Sequence, residues 1–166
     1  MRETNIRITV EEYSNIDELK PDDKALMMKA REASNSAYAP YSRFLVGAAV
    51  LLENGLIITG NNQENAAYPS GLCAERVALF AASATHPGVA VKAIAVTAKS
   101  EDFVINAPVT PCGSCRQVMS EYEMLSKAPM RILMMGETGE VHVVQGVSSV
   151  LPFMFDSSLL KRKTGQ

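Results

Sequence analysis

Three cysteines constrain this chain more than any other feature. Cys73 stands in the stretch SGLCAERVALF, and Cys112 and Cys115 stand in PCGSCRQVMSEYEML. Each motif opens a segment with apolar residues at helical spacing. A helix start carries partial positive charge and free N–H groups, which favour thiolate over thiol. Three thiolates at two helix starts can converge on one soft cation, and Zn2+ is the natural guest. The odd count argues against a disulfide framework and for metal or thiol chemistry in a reducing compartment. The N-terminal MRETNIRITVEEYSN is polar and of mixed charge, without the apolar core of a secretory signal. No segment approaches the ~20 apolar residues of a spanning helix. The chain therefore reads as cytoplasmic, with no membrane partner.

The rest of the chain shows how such helices would be supported. At 166 residues, 47% of them apolar, it has the length and composition of one globular domain with a real core. Pro21-Asp22-Asp23 starts a helix with acids at the positive end of its dipole, and Leu26, Ala30, Ala33 and Ala37 continue it until Pro40. Asn54-Gly55, between the β-formers of FLVGAAVLL and LIITG, predicts a hairpin. CAERVALFAASATHPG reads as a buried helix, and VKAIAVTAK as a short buried strand. GSCRQVMSEYEML is the next helix. MRILMM and VHVVQ are strands on either side of the turn Gly136–Gly139. A loop and a short helix near Asp156 close the chain. The order α-β-β-α-β-α-β-β predicts an α/β protein with helices on the faces of one central sheet. The tight turn before the last strand makes that strand antiparallel to its neighbour.

Charge excludes one class of partner. The net charge is -2 and the pI about 5.7. A protein that grips long nucleic acid shows a basic stripe, and here the only basic run, Lys161-Arg162-Lys163, reads as a solvated tail.

The ligand count bears on chemistry. A structural zinc takes four protein ligands, but the chain offers three Cys and only His86 and His142. His86 lies about 18 Å down the helix from Cys73, and His142 sits in a strand. The fourth position is then open to water, as in a catalytic site, and zinc makes that water acidic. Glu75, two residues beyond Cys73, can take its proton and deliver it elsewhere, as a general acid/base. Arg76, one turn from Cys73, can offset the negative charge of three thiolates. Taken singly, a C-x-x-C is more often a redox pair or half a structural site, and a first-turn Glu a dipole partner. The combination of C-x-E with a later P-C-x-x-C matches the signature of zinc deaminases.

The motifs YAPYSRFLVGAAV, GNNQENAAYPSGLCAER, PVTPCGSCRQVMSEY and VLPFMF together resemble the zinc-dependent cytidine deaminases of the short-subunit, homotetrameric branch with three Cys ligands. The resemblance runs from about Tyr38 to Leu160. It implies a three-layer α-β-α fold with a mixed sheet of about five strands. It implies one Zn2+ per subunit on Cys73, Cys112 and Cys115, with Glu75 as the proton carrier and Arg76 balancing the thiolates. It further implies that Asn62 and Glu64 bond the ribose, that Phe44 packs on the pyrimidine, and that the Ala74 N–H and Thr110 C=O meet the base. Tyr68 and Phe155 resemble aromatics given by a neighbouring subunit. The implied reaction is hydrolytic deamination of cytidine and 2′-deoxycytidine, a step of pyrimidine salvage, in a homotetramer, with a homodimer as the alternative. Two other functions are weighed against it: deamination of another nucleoside-like substrate such as an antibiotic, and a non-catalytic zinc-stabilised interaction domain. Residues 21–166 are expected to form the deaminase domain. Residues 1–20 are an extension without a family counterpart, whose alternating Ile6–Val10 suggests an added edge strand. Phe153-Met154 replaces the Gly-Ala usual before the C-terminal Phe.

Overall fold

Alternation along the strands divides the molecule into three layers. The computed structural model describes residues 1–156 and 160. In chain order its elements are β1 (Glu11–Tyr13), α1 (Pro21–Ser34), β2 (Phe44–Leu52), β3 (Ile57–Asn61), α2 (Ala74–Thr85), β4 (Val91–Ser100), α3 (Gly113–Ser126), β5 (Arg131–Met135) and β6 (Val141–Gln145). Ala48, Val50, Ile94, Val96, Ile132 and Met134 point to the face covered by α2 and α3. Their neighbours Ala49, Ala93, Ala95, Leu133 and Met135 point to the face covered by α1. The period of two in a strand makes this separation automatic once both faces are apolar. The expected three-layer α-β-α architecture is present.

The sheet order is β1-β6-β5-β4-β2-β3. Among the strands of the described residues, only β4 and β5 pair in parallel, across the α3 connection. The last strand, β6, is antiparallel to β5, as expected. Gly55 turns the β2–β3 hairpin at φ 85°. Because β3 and β4 are each antiparallel to β2, they run the same way. Each is followed by a helix on the same face, so α2 and α3 both begin at the edge where β3 and β4 end. The topology thereby brings the two cysteine motifs together.

Several expectations are corrected. The sheet has six strands, not about five, and the sixth is Glu11–Tyr13 rather than Ile6–Val10. Ile6, Ile8 and Val10 are exposed. β6 ends at Gln145 and Gly146 turns the chain away at φ 80°, so an edge strand over 6–10 would overrun its partner. Glu11 is instead fixed by Arg131, whose Nη1 and Nη2 donate to its two carboxylate oxygens at 2.9 and 2.8 Å. These bonds, with one from the Tyr13 hydroxyl, hold the Glu11 carboxyl down to about 2. The Arg131 Nε also donates to Asp23 at the start of α1, at 2.9 Å. Helix α1 stops at Ser34, well before Pro40. The Ser34 hydroxyl donates to the Arg31 carbonyl, and the Tyr38 N–H to Asn62, which draws the chain out of helix. Helix α2 is amphipathic rather than buried all round, since Phe80 is exposed. β4 is a ten-residue central strand, not a short one. The closing helix expected after Asp156 lies outside the described residues. No helix among the described residues is long and apolar enough to cross a membrane.

Gly60 lets α2 settle on β3. A Cβ there would lie 2.5 Å from the Ala78 nitrogen and 2.7 Å from the Ala74 carbonyl oxygen, both helix backbone. Backbone cannot swing aside as a side-chain tip can. Gly60→Ala is therefore expected to destabilise the fold by about 2 kcal/mol, read as a lowered thermal midpoint at fixed protein concentration. Gly113→Ala, with nothing within 4 Å of the added Cβ, serves as the control and should be tolerated. Equal midpoints for the two variants would contradict this packing of α2.

Candidate metal centre and active site

Cys73 is the N-cap of α2 and Cys112 the N-cap of α3, and neither side chain bonds its own helix start. Cys115 lies in the first turn of α3, fully buried. The Sγ atoms of Cys73 and Cys112 are 3.8 Å apart, and those of Cys112 and Cys115 are 3.5 Å apart. All three lie within 4.8 Å of one another. The sulfurs are free, and at these separations they are not disulfides. Among the described residues this is the one cluster of three or more metal-binding side chains. His142 is on β6, with Nε2 3.6 Å from Glu140 and 3.9 Å from Glu12, and His86 caps the far end of α2.

Charge at the cluster fits a cation. Hydrogen bonding from Cys115, then from Arg76 and Cys112, holds the Cys73 thiol down to about 5. Cys115 is pushed the other way by the bond it gives Cys73, by burial, and by the Glu75 charge. One thiol ionises readily and the next resists, because negative charge accumulates. A bound dication removes that resistance. The Arg76 Nη2 lies 3.7 Å from the Cys73 sulfur and supplies part of the compensation. Glu75 is 4% exposed. Burial, reinforced by the charge on Cys73, raises its carboxyl. A group so placed exchanges protons more readily than an exposed glutamate would.

Two residues of the cluster, Cys73 and Cys112, line a cavity of about 710 Å3, with Cys115 buried behind them. Cys73, Cys112, Glu75 and Arg76 line it on one side, and Phe44, Asn62, Glu64, Tyr68 and Thr110 complete the wall. The hairpin supplies Phe44 and Asn62. The Asn62 side-chain amide is bonded to β2, with Oδ1 accepting from the Val46 N–H at 2.8 Å and Nδ2 donating one of its two hydrogens to the Phe44 carbonyl at 2.9 Å. It thus fixes where Phe44 sits. Burial works against the charge of Glu64, but the Ser42 hydroxyl and the Tyr41 and Ser42 amides outweigh it and hold the carboxyl below its usual range. Ala74 opens α2, and helix geometry leaves its N–H without an intrahelical acceptor.

Phe155 is not brought into this cavity. It is 57% exposed, and its backbone N–H and C=O are both held by the side-chain amide of Gln117. Tyr68, although 77% exposed, lines the chain's own cavity beside Tyr41, with ring centroids 6.1 Å apart. Sequence reasoning missed Tyr41 and Ser42, which line the cavity and orient Glu64. Nothing in their spacing connects them to a carboxylate more than twenty positions away. It also missed Arg116, which ties the loop before Cys112 to the C-terminal segment.

Comparison with known proteins agrees with this geometry. Residues 20–129 match the family described as the cytidine and deoxycytidylate deaminase zinc-binding region. The cytidine deaminase of Halalkalibacterium halodurans is 42% identical over 134 residues, 81% of this chain and 94% of that protein. The cytidine deaminase of Mycobacterium tuberculosis is 37% identical over 70% of this chain and 85% of its own length. Among solved structures, the cytidine deaminase of Burkholderia pseudomallei superposes with a TM-score of 0.68 at 41% identity, covering 79% of this chain and 97% of that one. The Mycobacterium tuberculosis structure gives 0.64 at 32% identity, covering 82% and 99%. Three soft donors at two helix starts are a zinc donor set, so the cofactor is one Zn2+ per chain, and the chain belongs to the zinc-dependent cytidine deaminase family.

Proposed function

We propose that this chain hydrolyses the exocyclic amine of cytidine and 2′-deoxycytidine, releasing ammonia and leaving uridine or 2′-deoxyuridine. The observation that carries this reading is a buried carboxylate, Glu75, in one cavity with the three-sulfur cluster and with the hydrogen-bonding wall of Asn62 and Glu64. Cys73, Cys112 and Cys115 would hold the zinc. When bound there, it supplies a water acidic enough to react near neutral pH. Glu75 would take one proton from the attacking water and deliver it to the pyrimidine N3 as the water oxygen bonds to C4; it would then pass the remaining hydroxyl proton to the amine, which leaves as ammonia when the C4–N bond breaks. Phe44 packs on the ring, and the Thr110 carbonyl and Ala74 amide meet the amine and the base carbonyl. Glu64, held by Tyr41 and Ser42, and Asn62 face the ribose. Arg76 offsets the thiolate charge. Bonds that tighten as C4 becomes tetrahedral lower the barrier, while bonds equal in both states do not.

Residues 21–166 carry the activity in this proposal, and the extension 1–20 adds an edge strand to the sheet. Three free thiols at the site suit a reducing compartment, so the reaction is assigned to the cytoplasm. Phe155, outside its own cavity and exposed, is proposed to close the pocket of a neighbouring subunit in a homotetramer. The direct test is ultraviolet loss of cytidine against CMP, cytosine, adenosine and a cytosine-containing oligonucleotide. Turnover of cytidine, with none of CMP, cytosine, adenosine or the oligonucleotide, is the expected result. Turnover of the oligonucleotide alone, or none at all with zinc bound, would reject the reading.

Glu75→Gln should keep its zinc and fold while turnover falls about a thousandfold. Zinc content and rate are measured on the same sample, and a rate within tenfold of the parent would remove Glu75 from proton transfer. Cys112→Ala should lose the metal, because two thiolates bind it poorly and binding is coupled to folding. Full occupancy in that variant would show a different ligand set.

The subunit exchange is tested by mixing Glu75→Gln with Phe155→Ala and reassembling them. Recovered activity is expected, since some pockets then combine an intact Glu75 with an intact Phe155. No recovery despite proven mixing would return Phe155 to its own subunit's site.

A further inference from the structure

The guanidinium of Arg116 reaches in two directions from the first turn of α3. Its Nε donates to the Pro111 carbonyl at 2.7 Å and its Nη2 approaches the Thr110 hydroxyl at 3.4 Å. Its Nη1 donates to the Val150 carbonyl at 2.8 Å, at the end of the 3-10 turn Val147–Ser149 that follows β6. The two contacts on the loop lie on either side of one group. The Thr110 carbonyl falls between the anchored Thr110 side chain and the anchored Pro111 carbonyl along the chain. Proline adds a fixed φ. Thr110 itself lines the cavity, and Arg116 does not.

We infer that Arg116 is a positioning residue that aims the Thr110 carbonyl into the cavity by clamping the chain on both sides of it. The inference rests on the deaminase reading above, in which that carbonyl accepts a hydrogen bond from the exocyclic amine. Charge-assisted bonds from a rigid planar fork suit the task, because several acceptors are held by one group whose own geometry is fixed. Lysine can supply the charge but not the fork. The third bond braces the guanidinium against the C-terminal segment, so the clamp does not depend on α3 alone. A carbonyl aimed in this way discriminates by chemistry: it attracts the amine of cytidine and repels the O4 of uridine. Loosening it should therefore weaken the reaction of cytidine without weakening the binding of uridine.

The test compares the zinc-loaded parent with Arg116→Met and Arg116→Lys. Both variants are expected to keep their zinc. Their kcat/KM for cytidine should fall on the order of tenfold to a hundredfold, with lysine failing to rescue. The inhibition constant of uridine should stay within about twofold of the parent or become tighter, because the lost contact was repulsive toward O4. Hydrogen exchange of peptides spanning residues 109–113 should be faster in both variants. Parental kcat/KM, equal weakening of cytidine and uridine, or unchanged exchange in that loop would each overturn the inference. If Arg116→Met loses its zinc, Arg116→Lys carries the comparison, and loss of zinc in both would assign Arg116 to the metal site's stability instead. A parent that fails to deaminate cytidine overturns the proposed function, while the exchange comparison still decides whether Arg116 holds the loop.

Discussion

The structure depends on setting two helix starts side by side. Thiolates gain from the positive end of a helix, but three of them together repel one another. The arrangement is stable only if the helix ends, a nearby cation and a metal share that charge. Every large feature of the fold serves this meeting. β3 and β4 run in the same direction, α2 and α3 follow them on one face, and Gly60 removes the side chain that would hold α2 away. The result is a cluster whose sulfurs lie within 4.8 Å of one another, with Cys73 and Cys112 lining a cavity.

Rigidity and chemistry are divided between the layers. The face toward α1 is a closed apolar core of Leu26, Met27, Ala30 and their strand partners. The opposite face carries both cysteine motifs, and there the packing opens at one edge. The groups around the cavity are held mostly by backbone. Asn62 is bonded to β2, Glu64 to the amides of Tyr41 and Ser42, and Arg116 to the carbonyls of Pro111 and Val150. Side chains tied to backbone lose little further freedom when a ligand arrives, which is the condition for precise placement at low entropic cost.

Much of this was legible in the amino-acid sequence, for particular reasons. The hairpin at Asn54-Gly55 and the apolar runs of β5 and β6 around the turn Gly136–Gly139 are local signals, and local signals survive folding. The cysteine motifs were legible because few chemistries need C-x-E and P-C-x-x-C in one short chain. What escaped was set by long-range contact. The sixth strand forms at Glu11–Tyr13 because Arg131, 120 positions away, binds Glu11. The end of α1 depends on Tyr38 bonding Asn62 across the hairpin. The support that Ser42 gives Glu64, and Arg116 gives Val150, likewise joins residues whose spacing carries no period. The exposure of Phe80 was missed because apolar composition alone does not say which side of a helix faces the sheet.

The central claim is that three cysteines and no other side chain hold the metal, leaving one position for water. Zinc K-edge X-ray absorption of the purified chain without substrate tests it most directly. The account predicts three sulfur scatterers at about 2.3 Å and one oxygen scatterer at about 2.0 Å. A four-sulfur shell, or the multiple-scattering pattern of a histidine ring, would contradict it.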